Sequence, residues 1–296
     1  MELRHLRYFV AVATEENVTR AAAKLHVSQP ALSRQIHDLE DELGVLLLER
    51  TAKTVRLTEP GRIFLAEAQA TLARADEAVR NVRAAAGGLQ GEIRVGYAPT
   101  LAVRILPQTL RSFQSEFPQV RVSLHDLTSD EMSEGLKNGT LDVAIMARPR
   151  PNSIEGLQFV EIARYPVAIA VAPSHPLAKM DSVSLKQLTL ERFITYSRAG
   201  YPEYHENLEA LFASINAKPR ISEEHDGAAS LVASVESSSG VALVSSAIAC
   251  MTGQRLKLLT LDPPSPPIVV GMARRKGNLS RIVENFVAAA KAADVT

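Results

Sequence analysis

Gln29, Pro30, Ser33, Arg34 and His37 are the residues whose types and spacing come nearest to a chemical task. Arg bridges guanine O6 and N7, Gln pairs with adenine, Ser serves either base, and Pro offers apolar contact to a thymine methyl. All five lie off the apolar stripe Leu32, Ile36, Leu39 and Leu43, so a helix places them on one exposed side of its first two turns. Asp38, Glu40, Asp41 and Glu42 follow, and phosphate repels such a run. Only the amino end of the helix can face a duplex, which is how the second helix of a helix-turn-helix docks.

The neighbouring sequence supplies what must hold that helix. Leu3, Leu6, Val10 and Ala13 recur at helical steps, and Asn17 caps a second helix with Val18, Ala21, Ala22 and Leu25 inward. A turn at His26-Val27 leads to Ser28, the expected cap of the third helix, which tolerates Pro30 in its first turn and stops at Gly44. Residues 45–48 and 54–57 then pair as a small hairpin, the wing of a winged helix-turn-helix. Arg50, Lys53 and Arg56 fall in this wing, placed to grip phosphates or enter the minor groove. Residues 1–58 carry eight Lys or Arg and eight Asp or Glu, and the whole chain has 33 of each. Attraction to a polyanion must therefore come from placement rather than total charge.

A long helix follows from Glu59, with Thr58 as its cap and Pro60 in its first turn. Leu65, Leu72 and Val79 are spaced by seven, and Ala68, Ala75 and Val82 sit three after each, the a and d seats of a coiled coil. This predicts dimerisation; the competing reading packs the helix on its own domain. Paired glycines at 87 and 88 end it.

Beyond that break, strand-like and helix-like runs alternate, which predicts a parallel sheet with helices on both faces, in two similar halves. The proline-rich run 262–267 is the expected crossover back to the first half. The resulting division is a winged helix-turn-helix over 1–58, a linker and dimerisation helix over 59–87, and an α/β unit over 88–296. Its first half takes about 91–161 plus 267–296 and its second about 162–266.

With 296 residues, 46% apolar and 22% charged, the chain has room for about two globular domains. Cys250 is the only cysteine, so no intramolecular disulfide forms; it is expected in the core. Glu2, Arg4, His5 and Arg7 interrupt the first apolar residues, unlike a secretory signal, and a cytoplasmic protein without membrane spans is expected. No zincin, nucleophile-elbow, dinucleotide or P-loop pattern occurs, and the seven histidines are scattered. No enzyme, metal or cofactor is predicted.

Three stretches resemble the LysR-type transcriptional regulators: residues 17–22, residues 25–36, and the segments 39–45, 48–51 and 57–61, including Leu48-Glu49-Arg50-Thr51 and Leu57-Thr58-Glu59. The resemblance implies a winged helix-turn-helix, a dimerising linker helix, and an effector domain of two Rossmann-like halves similar to type 2 periplasmic binding proteins. It further implies dimers or tetramers made of paired dimers, which bind double-stranded promoter DNA and respond to a small molecule. The effector domain looks closest to the branch sensing benzoate and muconate, so the expected effector is a small or aromatic carboxylate. Thr100 and Ser129, each at a strand-to-helix junction, are the expected acid-binding positions, with a plain cap as the alternative for Thr100. Arg198 is expected as a countercharge and Tyr204 as an aromatic wall. Arg148 matches the branch's arginine only with a one-residue offset, which speaks against a dicarboxylate. The rival readings are a solute-binding receptor and an enzyme.

Overall fold

The computed structural model describes residues 1–50, 55–87, 91–150, 153–277 and 280–293. Two compact units emerge, one from Met1 to Ala86 and the other from Gly87 onward apart from the turn at 138–140. No helix of the described residues is long and apolar enough to cross a membrane.

The first unit is built from α1 (Leu3–Glu15), α2 (Val18–Lys24), α3 (Gln29–Leu43), a hairpin of β1 (Leu48–Arg50) and β2 (Val55–Leu57), and α4 (Glu59–Gly87). Leu6, Phe9 and Val12 of α1 meet Ala21 and Ala22 of α2 and Leu32, Ile36 and Leu39 of α3 in one core. Each such large side chain contributes about 1.5–3 kcal/mol by leaving water. The Asn17 side chain accepts the Arg20 N–H at 3.0 Å, as a cap should. Ser28 departs from expectation, because its hydroxyl makes no cap bond. Gly44 ends α3 in the left-handed conformation, at φ +70°.

The hairpin also differs from expectation. Its first strand is 48–50 rather than 45–48, because Glu40 accepts the Leu47 and Leu48 N–H groups at 2.9 and 3.0 Å and ties that approach segment to α3. Thr58 caps α4, accepting the Gly61 N–H at 2.9 Å while its own hydroxyl donates to the Leu46 carbonyl. At Gly61 a Cβ would lie 2.0 Å from the Leu47 carbonyl oxygen, so the first turn of α4 sits on this backbone only because the residue lacks a side chain.

Along α4 the expected coiled-coil seam divides. Phe64, Leu65, Ala68 and Leu72 pack on the core of their own unit, with the Phe64 ring edge-on to Phe9 at 5.2 Å. Val79 and Val82 remain 48% and 69% exposed. The seam proposed for self-association therefore serves the unit's own core over its first half, because Phe9 and its neighbours leave an apolar face that α4 covers.

The second unit has two lobes. In the first, β3 (Gly91–Tyr97), β4 (Val120–Asp126), β5 (Val143–Ala147) and β6 (Leu157–Tyr165) run in one direction, and β13 (Ile268–Arg275) lies between β5 and β6, antiparallel to both, in the order β4-β3-β5-β13-β6. Helices α6 (Ile105–Glu116) and α12 (Arg281–Ala292) cover one face, where Phe113 meets Phe286 at 5.1 Å. Helix α7 (Ser129–Asn138) covers the other through Met132 and Leu136. The helical stretch between β3 and β4 is split into the one-turn α5 (Pro99–Ala102) and α6.

The second lobe joins β7 (Val167–Val171), β8 (Ser182–Ser184), β9 (Arg192–Tyr196), β10 (Arg220–His225), β11 (Ala242–Ser245) and β12 (Lys257–Asp262). Bonds from Ile194 N–H to Val241 O and from Val241 N–H to Arg192 O connect the pair β10-β9 to the sheet β11-β7-β12-β8. Its faces carry α9 (Pro202–Ala213), with Phe212 edge-on to Phe193 at 5.3 Å, and α10 (Ala228–Glu236). The short helices α8 (Leu185–Leu188) and α11 (Ala249–Thr252) complete it.

Both sheets are mixed rather than parallel. The reason is that the strand entered at each crossover runs against its sheet: β7, reached straight from β6 through Pro166, is antiparallel to β11 and β12, and β13, reached from β12, is antiparallel to β5 and β6. Cys250, expected in the core, is exposed on α11, with Arg104 Nε donating to its Sγ at 3.4 Å. The single turn of α11 is too short to bury it.

Candidate nucleic-acid interface and effector cleft

The first two turns of α3 present Gln29, Pro30, Arg34 and His37 to solvent and Ser33 partly so. Neither Gln29 nor Arg34 has a side-chain partner among the described residues, while His37 Nε2 lies 3.7 Å from Asp41. The buried face of the same helix holds Leu32, Ile36 and Leu39, which fixes the rotation of the helix and hence the outward aim of the polar set. The acidic run beyond divides by role. Asp38, Asp41 and Glu42 stay at the surface, whereas Glu40 is 4% exposed and works as a structural acceptor for the wing's approach segment. Sequence reasoning counts Glu40 among the phosphate-repelling acids. The available signal is its place one helical turn after Ile36 and next to Leu39, on the buried side of α3.

On the wing, Arg56 is exposed and pairs across the hairpin with Glu49, in the register Glu49↔Arg56. Lys53 lies outside the described residues, and for Arg50 only the strand backbone is described.

In the second unit the structure brings some of the expected residues together and separates others. Thr100, in α5, is 9% exposed, and its carbonyl accepts the Ser245 hydroxyl at 3.4 Å. Burial pushes the Tyr196 phenol up, and the nearby Thr100 hydroxyl opposes that shift. Tyr196 in turn contacts Tyr201 at 4.6 Å and the Tyr204 ring edge-on at 5.3 Å. Burial pushes the hydroxyls of Tyr201 and Tyr204 up as well. Tyr204 is thus a wall in its ring and a core residue in its hydroxyl. Ser129 opens α7 from the first lobe, and its hydroxyl donates to Glu203 Oε1 of the second lobe at 2.5 Å. Contacts therefore join the first lobe to the second at two places, Thr100 to Ser245 and Ser129 to Glu203, with Tyr196, Tyr201 and Tyr204 in mutual ring contact on the second lobe.

Arg148 and Arg198 are turned elsewhere. The Arg148 guanidinium stacks over Phe159 at 5.1 Å and pairs with Glu161 at 2.9 Å. Arg198 pairs with Glu209 at 2.5 Å and is half-exposed. The guanidinium beside it holds Glu209 below the usual carboxylate range. Sequence reasoning misses Tyr196, Tyr201 and Glu203 as site residues. A signal is present: Pro202 starts α9, so the residues flanking it sit at a helix mouth.

Residues 3–62 match the family described as "Bacterial regulatory helix-turn-helix protein, lysR family", and residues 86–294 match "LysR substrate binding domain". The chain is similar to the HTH-type transcriptional regulator TcbR of a Pseudomonas species, 33% identical over 287 residues that cover 97% of each chain. It is similar to the Hca operon transcriptional activator HcaR of Escherichia coli, 32% identical over 288 residues, 97% of this chain and 96% of that one. Among solved structures it is similar to full-length CbnR complexed with its target DNA, at a TM-score of 0.75 and 31% identity, covering 99% of this chain and all of that one (100%). Likeness of this length, reaching from the reading helix through both lobes, leaves one conclusion: the chain belongs to the LysR family of DNA-binding transcriptional regulators.

Proposed function

We propose that the chain reads double-stranded promoter DNA with Gln29, Pro30, Ser33, Arg34 and His37 in the major groove, while Arg50, Lys53 and Arg56 of the wing hold the flanking backbone. It works as a dimer or a tetramer of paired dimers, with Val79 and Val82 of α4 as the apolar residues left to meet a second copy. It acts in the cytoplasm and by binding rather than catalysis. A small organic acid in the cleft, touching Thr100, Ser129 and the Tyr204 ring, sets its state; Arg148 and Arg198 contribute only once their salt bridges to Glu161 and Glu209 open.

The observation that carries this reading is the unpartnered, outward-facing pair Gln29 and Arg34 on a helix whose other face is locked in a core. The test is fluorescence anisotropy of full-length protein on a duplex from upstream of its own gene, at moderate salt. Wild type binds; Arg34→Ala loses roughly 1–3 kcal/mol on the cognate duplex and relaxes preference at one base position. Equal loss on random DNA contradicts base reading, and no binding by the wild type returns the solute-receptor reading.

A further inference from the structure

The contact between Ser129 and Glu203 joins the two lobes across the cleft: Ser129 begins α7 of the first, and Glu203 lies in the first turn of α9 of the second. Two further contacts flank it. The Asp130 N–H donates to the Gly200 carbonyl at 3.3 Å, and a Cβ at Gly200 would come within 2.8 Å of Thr128 Cγ2. The segments approach this closely because residue 200 has no side chain.

The first residue of α7 thus already holds a carboxylate through its side chain. The Ser129 hydroxyl, only 7% exposed, supplies a charge-assisted bond, while the Asp130 and Glu131 N–H groups beside it are taken by the Gly200 carbonyl and the Thr128 hydroxyl. Other acids crowd the place. Glu131 accepts both the N–H and the hydroxyl of Thr128 at 2.9 Å, and partial desolvation together with Glu131 raises Asp126 above the ordinary carboxylate range. An organic acid that enters beside Glu203 is repelled. One that replaces Glu203 inherits the Ser129 hydroxyl.

We propose that Glu203 is an internal acid seated where the effector's carboxylate binds: it holds the lobes together in the effector-free protein and must swing out before an effector acid enters. Glu203 is then a specificity-determining residue, because the apparent affinity for any acid is reduced by the fraction of molecules in which the seat is occupied. This rests on the reading that the cleft takes an acid at Ser129.

The test uses full-length Glu203→Ala and the conservative Glu203→Gln, whose side-chain oxygen still accepts from Ser129. Without ligand, hydrogen exchange over residues 128–132 is expected to quicken at least ~10-fold in Glu203→Ala, and less in Glu203→Gln. Benzoate, used as the probe acid in titration calorimetry, is expected to bind at least ~10-fold more tightly to Glu203→Ala than to wild type. Unchanged exchange overturns the proposal whatever benzoate does. Faster exchange with benzoate bound no more tightly, or bound by neither protein, overturns it too. The underlying reading of the cleft fails separately: if Glu203→Ala binds benzoate and adding Ser129→Ala leaves that affinity unchanged, the acid seat lies elsewhere.

Discussion

The amino ends of α3 and α7 are left in opposite states. Each carries polar side chains, and each turns an apolar stripe into a core. On α3 the Ser28 hydroxyl makes no cap bond, and Gln29 and Arg34 reach into solvent without a side-chain partner among the described residues. On α7 the Ser129 hydroxyl is held by Glu203, and Thr128 by Glu131. The difference follows from burial. Water satisfies exposed donors at little cost, so a surface that meets a large polyanion can keep them free. A buried donor is costly to leave unbonded, about 1–3 kcal/mol for an unsatisfied polar group. On the proposed roles, α3 can wait open, whereas the Ser129 seat carries its own substitute.

The comparison breaks most visibly if the open helix is undermined from behind. Glu40 is the carboxylate that fixes the wing's approach to α3, accepting two buried N–H groups. Glu40→Ala leaves both without that acceptor, and the first unit is expected to lose about 3 kcal/mol in chemical denaturation. Glu40→Gln keeps an acceptor oxygen and should lose about 1 kcal/mol. DNA binding by Glu40→Ala should fall at every sequence, since the wing and α3 lose their common support. If both variants unfold like wild type, the readiness of α3 does not depend on this buried brace.

A smaller effect sharpens the other side. Thr100→Val keeps the shape of the side chain and removes the hydroxyl near Tyr196. The second unit is expected to lose about 1 kcal/mol of stability. The Tyr196 phenol should ionise at still higher pH, because the hydroxyl that opposed the shift is gone; alkaline spectrophotometric titration reads this. An unaltered titration would mean that the cleft is not satisfied from within at Thr100.

Legibility in the sequence differs between the same two regions. The reading helix is legible because exposure there follows from periodicity alone: once Leu32, Ile36 and Leu39 are assigned inward, Gln29 and Arg34 must point out. The helical half of the first unit is legible for the same reason. Glu40 is misread because charge suggests solvent, and its acceptor role depends on where residues 47 and 48 arrive. In the second unit the alternation of strands and helices is visible, but the antiparallel places of β7 and β13 are not. Strand direction is fixed by crossovers between lobes, a long-range fact with no local pattern. Thr100 and Ser129 are found from their junctions, while Glu203 is passed over because its partner is 74 positions away. The free guanidinium expected of Arg198 is lost to Glu209, a competitor 11 positions further along the chain on α9.

The mildest variant separates two ways of being open. Arg56 sits on β2 opposite Glu49, exposed, where a surface charge contributes little to stability. Arg56→Ala is therefore expected to leave stability within about 0.5 kcal/mol of wild type. Its effect on DNA should be uniform across sequences and should appear as a salt dependence: one fewer neutralised phosphate lowers the slope of log K against log salt by about 0.9. On the proposed roles Arg34 reads a base edge and Arg56 meets only charge, so their variants should diverge when specific and random duplexes are compared at two ionic strengths. If Arg56→Ala instead changes which base is preferred while the slope stays put, the wing takes part in reading through the minor groove, and the open surface extends beyond α3.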